Sequence, residues 1–194
     1  NKESFSAPSR IWQIHNKYIV AEVKSGLIII DQHVAHERIL FETAQEAMEG
    51  NGLPSQTVLF PQTLSFQPDE YSQFMQISPY LEKMGFKFRE FGESTIIIEG
   101  VPPDIYMGSE NRIIREVLDN FIEHHKLNSS FLDYIASTYA CKAAIKAGEK
   151  LESEEIKTLV DKLFATNHPY YCPHGRPIIV NLSTDELDKR FERH

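Results

Sequence analysis

Leu27-Ile28-Ile29-Ile30-Asp31-Gln32-His33-Val34-Ala35-His36-Glu37-Arg38-Ile39-Leu40-Phe41-Glu42 carries two different patterns in one short stretch. The unbroken apolar run from Leu27 to Ile30 reads as a buried strand, and Ile39, Leu40 and Phe41 continue at helical spacing. The polar residues between them therefore sit where a strand gives way to a helix. On that helix His33 and Glu37 are four apart, so they share a face and can hold one cation, with Asp31 at the strand end pointing to the same mouth. Two carboxylates and an imidazole suit zinc or manganese. A plainer reading stands beside this one: Glu37, Arg38 and Glu42 form a solvated helix face and His33 is an ordinary capping histidine.

Working outward, Trp12 to Ile14 and Tyr18 to Val23 read as strands. The turn Lys24-Ser25-Gly26 makes Tyr18 to Val23 and Leu27 to Ile30 a hairpin that feeds the polar stretch. The helix from Gln32 to about Met48 stops at Gly50-Asn51-Gly52. Beyond it, Pro68-Asp69-Glu70 opens a helix with the stripe Tyr71, Phe74, Met75, Ile77 and Leu81, which Pro79 should kink or split. Gly85 closes this element. Phe86 to Phe91 and Thr95 to Ile98 make a second hairpin across Gly92-Glu93-Ser94. Ser109 to His125 is an amphipathic helix, with His124 and His125 as surface residues favoured by the helix dipole. This helix, hairpin, helix pattern makes residues 56–128 a lobe of its own, inserted into a first lobe built from 1–55 and 129–194. The expected fold class is α+β.

A long helix is expected from Phe131 to Ala147 with Gly148 as its cap, then an acid-rich helix from Glu154 to Thr166. The segment Cys172-Pro173-His174-Gly175-Arg176-Pro177 reads as extended, so Cys172 and His174 project to one side and can reach one metal. Ile178 to Leu182 is a strand, and Ser183 with Glu186 makes a capping box for a last helix through Phe191. Cys141 is either a further thiol ligand or a buried small hydrophobe.

The 194 residues suffice for one good core or two small lobes, and 41% hydrophobic with 25% charged residues is ordinary globular composition. No apolar run approaches the roughly 20 residues that span a bilayer, and no charged-then-apolar leader opens the chain, which leads to the expectation of a cytoplasmic protein. Asn1, with Ser4, Ser6, Pro8 and Ser9 behind it, reads as the linker start of a piece cut from a longer chain. The formal net charge of −8 argues against a free-standing, high-affinity nucleic-acid binder. Lys142, Lys146 and Lys150 make a local basic stripe, for phosphate or for pairing with Glu149 and Glu152. Together Asp31, His33, Glu37, Cys141, Cys172 and His174 exceed the donors of one tetrahedral zinc. Two nearby ions would account for them, and such a pair meets the needs of phosphodiester hydrolysis. No Walker loop, dinucleotide fingerprint or Ser/His/Asp arrangement competes.

Three blocks resemble the MutL family of DNA mismatch-repair proteins. Asp31, Gln32, His33, Glu37 and Glu42 fall on its endonuclease motif of Asp-Gln-His-Ala, two residues, Glu, four residues, Glu, with Val34 in place of Ala. Ala140-Cys141-Lys142-Ala143-Ala144-Ile145-Lys146-Ala147-Gly148 is similar to its Ala-Cys-basic block, and Cys172 to Pro177 to its ligand-supplying Cys-Pro-His-Gly-Arg-Pro. Gln56-Thr57-Val58-Leu59-Phe60-Pro61 resembles the peptide that docks on the bacterial sliding clamp, with Gln56, Leu59, Phe60 and Pro61 as its contacts.

The resemblance implies a C-terminal domain with a dimerisation lobe from both chain ends, a regulatory middle lobe, and a latent metal-dependent nickase. Asp31 and Glu37 would hold the catalytic ion, and His33, Cys141, Cys172 and His174 a zinc-favouring site. Glu42 would be a supporting carboxylate, and Arg176 would contact phosphate or order the Cys172 loop. The implied cofactors are Zn2+ and Mn2+, with Mg2+ as a substitute. ATP would enter only through an N-terminal ATPase domain, whose motifs do not occur here. The implied partners are a second copy, duplex DNA held weakly by this part alone, the sliding clamp and a MutS-type mismatch sensor, at the nucleoid and with no membrane. The final Phe191-Glu192-Arg193-His194 resembles a Phe-Glu-Arg-Cys terminus that reaches the active site across a dimer, so His194 is either a ligand or the start of a tag. The competing reading is a non-enzymatic scaffold in which zinc staples the dimer. An unrelated zinc hydrolase is a third, and it would expect a small-molecule pocket.

Overall fold

The computed structural model of the chain describes residues 10–103, 105, 108–124, 129–146 and 148–193. The expectations for the linker-like start, His125 and His194 lie outside them, as does the side chain of His124. The described residues form an α+β protein with two antiparallel sheets and divide into two compact units. One comprises the chain up to Ile39 and from Ala144 onward, the other Leu40–Ala143. No helix among the described residues is long and apolar enough to cross a membrane.

The first unit is built on a sheet of order β1-β2-β3-β7: β1 (Ile11–Ile14), β2 (Tyr18–Val23), β3 (Gly26–Asp31) and β7 (Ile179–Ser183). Strand alternation sorts its residues. Ile19, Ala21, Ile28 and Ile30 turn inward, where they meet Ile156, Leu159, Val160 and Leu163 of α5 (Ser153–Ala165). Those four helical residues recur at the spacing of one buried face, and each contributes about 1.5–3 kcal/mol by leaving water.

The opposite face of the sheet is also apolar. Trp12 pairs with Val20, Val20 with Ile29, and Ile29 with Val180, so the four lie in one row, with Ile14 and Tyr18 beside it and the Leu27–Leu182 pair beyond. Trp12, Ile14, Tyr18 and Val180 are 42%, 39%, 43% and 55% exposed.

Gly26 lets β3 start where it does. Its φ is +141°, and a Cβ there would lie 2.2 Å from the Leu182 carbonyl oxygen. Gly26→Ala is therefore expected to destabilise the protein by about 1–3 kcal/mol through overpacking and strain, read as a lower midpoint in urea denaturation.

The second unit holds β4 (Gln56–Ser65), α2 (Pro68–Lys83), β5 (Lys87–Glu90), β6 (Thr95–Val101), α3 (Glu110–His124) and α4 (Ser129–Ala143), with sheet order β4-β6-β5. Its core includes Phe74, Ile77, Leu81, Phe86, Ile96, Ile98, Ile113, Ile114, Val117 and Leu118. Phe74 stacks on Phe66 at 4.9 Å and meets Phe88 edge-on at 5.3 Å. The helix α1 (Gln32–Glu49) begins in the first unit and ends in the second.

The structure corrects several local expectations. α2 runs unbroken through Pro79. The carbonyl of Met75, which residue 79 would ordinarily serve as donor, accepts the Ser78 hydroxyl at 3.2 Å instead. α4 ends at Ala143 rather than Ala147, because Ile145 is held by two histidines of α1, its N–H donating to His36 Nδ1 at 2.9 Å and its carbonyl accepting from His33 Nδ1 at 2.8 Å. Gly148 then donates to Asn16 O at 2.9 Å, so it ends a loop and caps no helix. With the helix over, the lysines share no helical face: Lys142 pairs with Glu116 at 3.0 Å and Lys150 with Glu152 at 3.2 Å. At the chain's end Ser183 Oγ accepts from Glu186 N at 3.1 Å, but the Glu186 carboxylate pairs with Arg190, so only half of the expected capping box forms around α6 (Thr184–Arg190).

Candidate metal centre

The strand-to-helix junction positions the polar residues of the first unit. Asp31 donates its N–H to Ile178 O at 3.0 Å, and its Oδ1 accepts the Val34 N–H at 3.0 Å, which makes it the N-cap of α1. Gln32 is fully buried: its backbone N–H reaches Lys17 O, its Nε2 reaches Glu149 O at 2.9 Å, and its Oε1 accepts from Gln13 Nε2 at 2.5 Å. The first turn of α1 is thereby tied to both the β1–β2 turn and the loop after α4.

The bond between His33 Nδ1 and the Ile145 carbonyl requires the proton on Nδ1, because a carbonyl can only accept. The lone pair of Nε2 is then available, the arrangement common in metal-bound histidines. His36 takes the opposite tautomer, since its Nδ1 accepts from the Ile145 N–H.

One turn further along α1, Glu37 is fully buried, yet both of its oxygens meet potential cations. Oε1 lies 3.0 Å from His174 Nδ1, and Oε2 lies 3.4 Å from Arg176 Nη2. The His174 and Arg176 side chains are themselves about half exposed, so the buried carboxylate sits beneath a polar, open surface.

Cys172 and His174 occupy a tight turn and not the extended segment expected of them. Gly175 N–H donates to Cys172 O and Cys172 N–H to Arg176 O, both at 2.9 Å, while Arg176 N–H points at Cys172 Sγ at 3.3 Å. Gly175 supplies the positive φ of +79° that the turn needs. Cys172 is buried in the apolar cluster of the first unit, whereas His174 is half exposed and turns its Nδ1 to the Glu37 carboxylate. The geometry thus brings Glu37, His174 and Arg176 together. Asp31 is engaged as a cap, and Cys172 is at the root of the turn. Cys141, exposed near the end of α4, and the buried Glu42 belong to the second unit.

The donors of the first unit fit a divalent ion. The Glu37 carboxylate and the His174 imidazole are hard and borderline donors of the kind zinc and manganese accept, and His33, on the same helix, carries the ligand-competent tautomer. Sequence reasoning missed Arg38, His36 and Gln32 as the residues that hold this arrangement. Arg38 stood in the quoted stretch but gave no periodic signal that it was turned inward.

In the second unit, Gln56 and Thr57 of β4 pair with Val101 and Gly100, and pairing resumes only at Gln62 with Ile98. Residues 58–61 are therefore looped out, with Leu59 and Phe60 82% and 84% exposed and Val58 buried as the anchor.

Residues 11–151 match the family model described as the MutL C terminal dimerisation domain. The chain is also similar to proteins named DNA mismatch repair protein MutL. It is 50% identical to that of Pelodictyon phaeoclathratiforme, 49% to that of Chlorobium chlorochromatii and 48% to that of Chlorobaculum tepidum, each over 185 residues or 95% of this chain. The chain spans about 30% of the length of these relatives. The chain belongs to the MutL family of DNA mismatch repair proteins, as a C-terminal dimerisation domain.

Proposed function

We propose that this domain is a metal-dependent DNA nickase that works as a dimer and stays latent until the sliding clamp and an N-terminal ATPase domain load it onto DNA. The observation that carries the reading is the buried Glu37 carboxylate meeting His174 Nδ1 at 3.0 Å and Arg176 Nη2 at 3.4 Å. Burying a carboxylate is costly, and a site that must receive a cation is a reason to keep one. In this reading Asp31 and Glu37 hold the catalytic ion, manganese or magnesium. His33, Cys141, Cys172 and His174 hold zinc, Cys141 on the strength of the sequence block to which it belongs. Bound ions polarise the scissile phosphate and acidify a water. The chain's own share is orientation: the Ile145 carbonyl fixes the His33 tautomer, and Arg176, half exposed beside Glu37, is placed to contact a phosphate. Glu42 is the supporting carboxylate on the strength of the sequence motif to which it belongs.

The looped-out Leu59 and Phe60, flanked by Gln56 and Pro61, support docking on the clamp, because both apolar side chains are available to a partner's pockets. The net charge of −8 supports latency, since unaided binding to duplex DNA would be weak. A MutS-type mismatch sensor completes the set of partners.

The test is nicking of supercoiled plasmid in manganese, with and without the clamp, for the parent, Asp31→Asn and Phe60→Ala. Asparagine caps a helix as well as aspartate does, so Asp31→Asn keeps α1 intact and removes only the charge. Parent nicking should rise with clamp. Asp31→Asn should lose activity in both conditions, and Phe60→Ala should keep the basal rate and lose the stimulation. Equal inactivity of parent and Asp31→Asn with clamp present would favour the zinc-stapled scaffold, a reading to which the capping role of Asp31 also lends itself.

A further inference from the structure

Arg38 is 7% exposed, and both its Nε and its Nη2 donate to a single acceptor, the carbonyl oxygen of Tyr171, at 2.8 and 2.5 Å. A buried guanidinium is expensive to desolvate, and an apolar side chain would fill the same space without that penalty. The question is what the charge holds.

Tyr171 and Pro177 form an isolated antiparallel bridge at the base of the Cys172–Arg176 turn. The two hydrogen bonds that make the bridge, Cys172 N–H to Arg176 O and Ile178 N–H to Tyr170 O, flank this pair on either side. The Tyr171 carbonyl therefore faces away from the bridge and has no ladder partner there. Arg38 takes it.

Glu37 and Arg38 are consecutive on α1 and grip the turn at two points. Glu37 meets the tip through His174, and Arg38 meets the root one residue before Cys172. Without the Arg38 bonds the root would keep the packing of Cys172 and the Asp31 N–H on Ile178 O, neither of which holds the Tyr171 carbonyl. We propose that Arg38 is a positioning residue of the metal centre: through the Tyr171 carbonyl it fixes the turn that is rooted at Cys172 and presents His174 to Glu37. The inference rests on the metal site proposed above and adds to it a residue that touches neither metal nor substrate.

The test is a titration of the metal-free 194-residue chain with cobalt(II), read by its ligand-field bands and its sulfur-to-cobalt charge-transfer band, for the parent, Arg38→Met, Arg38→Lys and His174→Ala. The apo melting curve of each is recorded alongside. Arg38→Met should weaken cobalt binding by about 10- to 100-fold, the effect usual for a residue that orients ligands, with a diminished charge-transfer band. Lysine keeps the charge but cannot place two donors on one oxygen in the planar guanidinium geometry, so Arg38→Lys should fall between. A merely structural Arg38 would lower the apo melting temperature and leave the cobalt spectrum and affinity at the parent's values. That result in folded Arg38→Lys, or in Arg38→Met if it folds, overturns the proposal and leaves the metal site standing. A parent that binds no cobalt, or whose binding survives His174→Ala, overturns both.

Discussion

Glu37→Gln is expected to abolish metal-dependent nicking while leaving the metal-free fold at least as stable as the parent. The two halves of this expectation come from one geometry. Glu37 is fully buried, whereas its partners His174 and Arg176 are about half exposed. When one partner of a buried ion pair is removed, the usual loss of about 3–5 kcal/mol arises because the other charge stays buried without compensation. Here the buried charge is the one removed, and the imidazole and guanidinium left behind are half exposed and can turn to water. Glutamine also retains an oxygen and an N–H₂ for the same pocket. A carboxylate that contributes little to the apo fold but is retained in its interior fits a binding role, at the expense of stability. Loss of a ligand should weaken manganese or zinc binding by more than the roughly 10- to 100-fold seen for orienting neighbours, with nicking falling at least as far. Isothermal titration of the ions and the apo melting curve separate the two effects. A Glu37→Gln protein that melts far below the parent, by more than about 6 °C for a chain of this size, and still binds metal would make Glu37 a structural residue.

The elements that were legible in the sequence are those whose signal is local. Leu27 to Ile30 read as a buried strand, and the Lys24-Ser25-Gly26 turn marked its hairpin with Tyr18–Val23, which the structure forms. The Gln32 start of α1 was visible because the apolar period changes there, and Asp31 proves to be its cap. What sequence could not supply were interactions between distant segments. The end of α4 is decided by His33 and His36, more than a hundred residues earlier in the chain, bonding to Ile145. The turn at Cys172 is decided by backbone hydrogen bonds around Gly175, so the thiol and the imidazole that an extended strand would have aligned point different ways. Pro79 carried a local signal for a break, but Ser78 answered it with a hydroxyl. Leu59 and Phe60 drew notice only through a resemblance, and it is the lost pairing between Thr57 and Gln62 that reveals them standing in solvent.

Trp12→Glu is expected to convert the protein from a dimer to a monomer. Trp12 lies at the edge of the row Trp12, Val20, Ile29 and Val180, on the sheet face that α5 does not cover. The other face of the same four strands buries Ile19, Ala21, Ile28 and Ile30, so the sheet is apolar on both sides. A sheet with one wet face ordinarily alternates apolar and polar residues, and an apolar row of Trp12, Val20, Ile29 and Val180 flanked by Ile14 and Tyr18 marks a surface meant for a partner. A second copy is the occupant that fits a dimerisation domain, and a self-complementary patch is what a two-fold interface requires. Placing a carboxylate on such a face beneath a second copy would bury it unpaired, a loss of several kcal/mol. Each 1.4 kcal/mol is about tenfold in affinity, so the dissociation constant should rise by roughly a hundredfold or more. Because Trp12 is 42% exposed in the single chain, the substitution should leave the monomer folded. Sedimentation equilibrium across a range of concentrations reads both properties, and Val180→Asp, on the far strand of the same row, should give the same shift. If both variants sediment as the parent's dimer, the interface lies elsewhere on the domain, and the open sheet face would need a different partner.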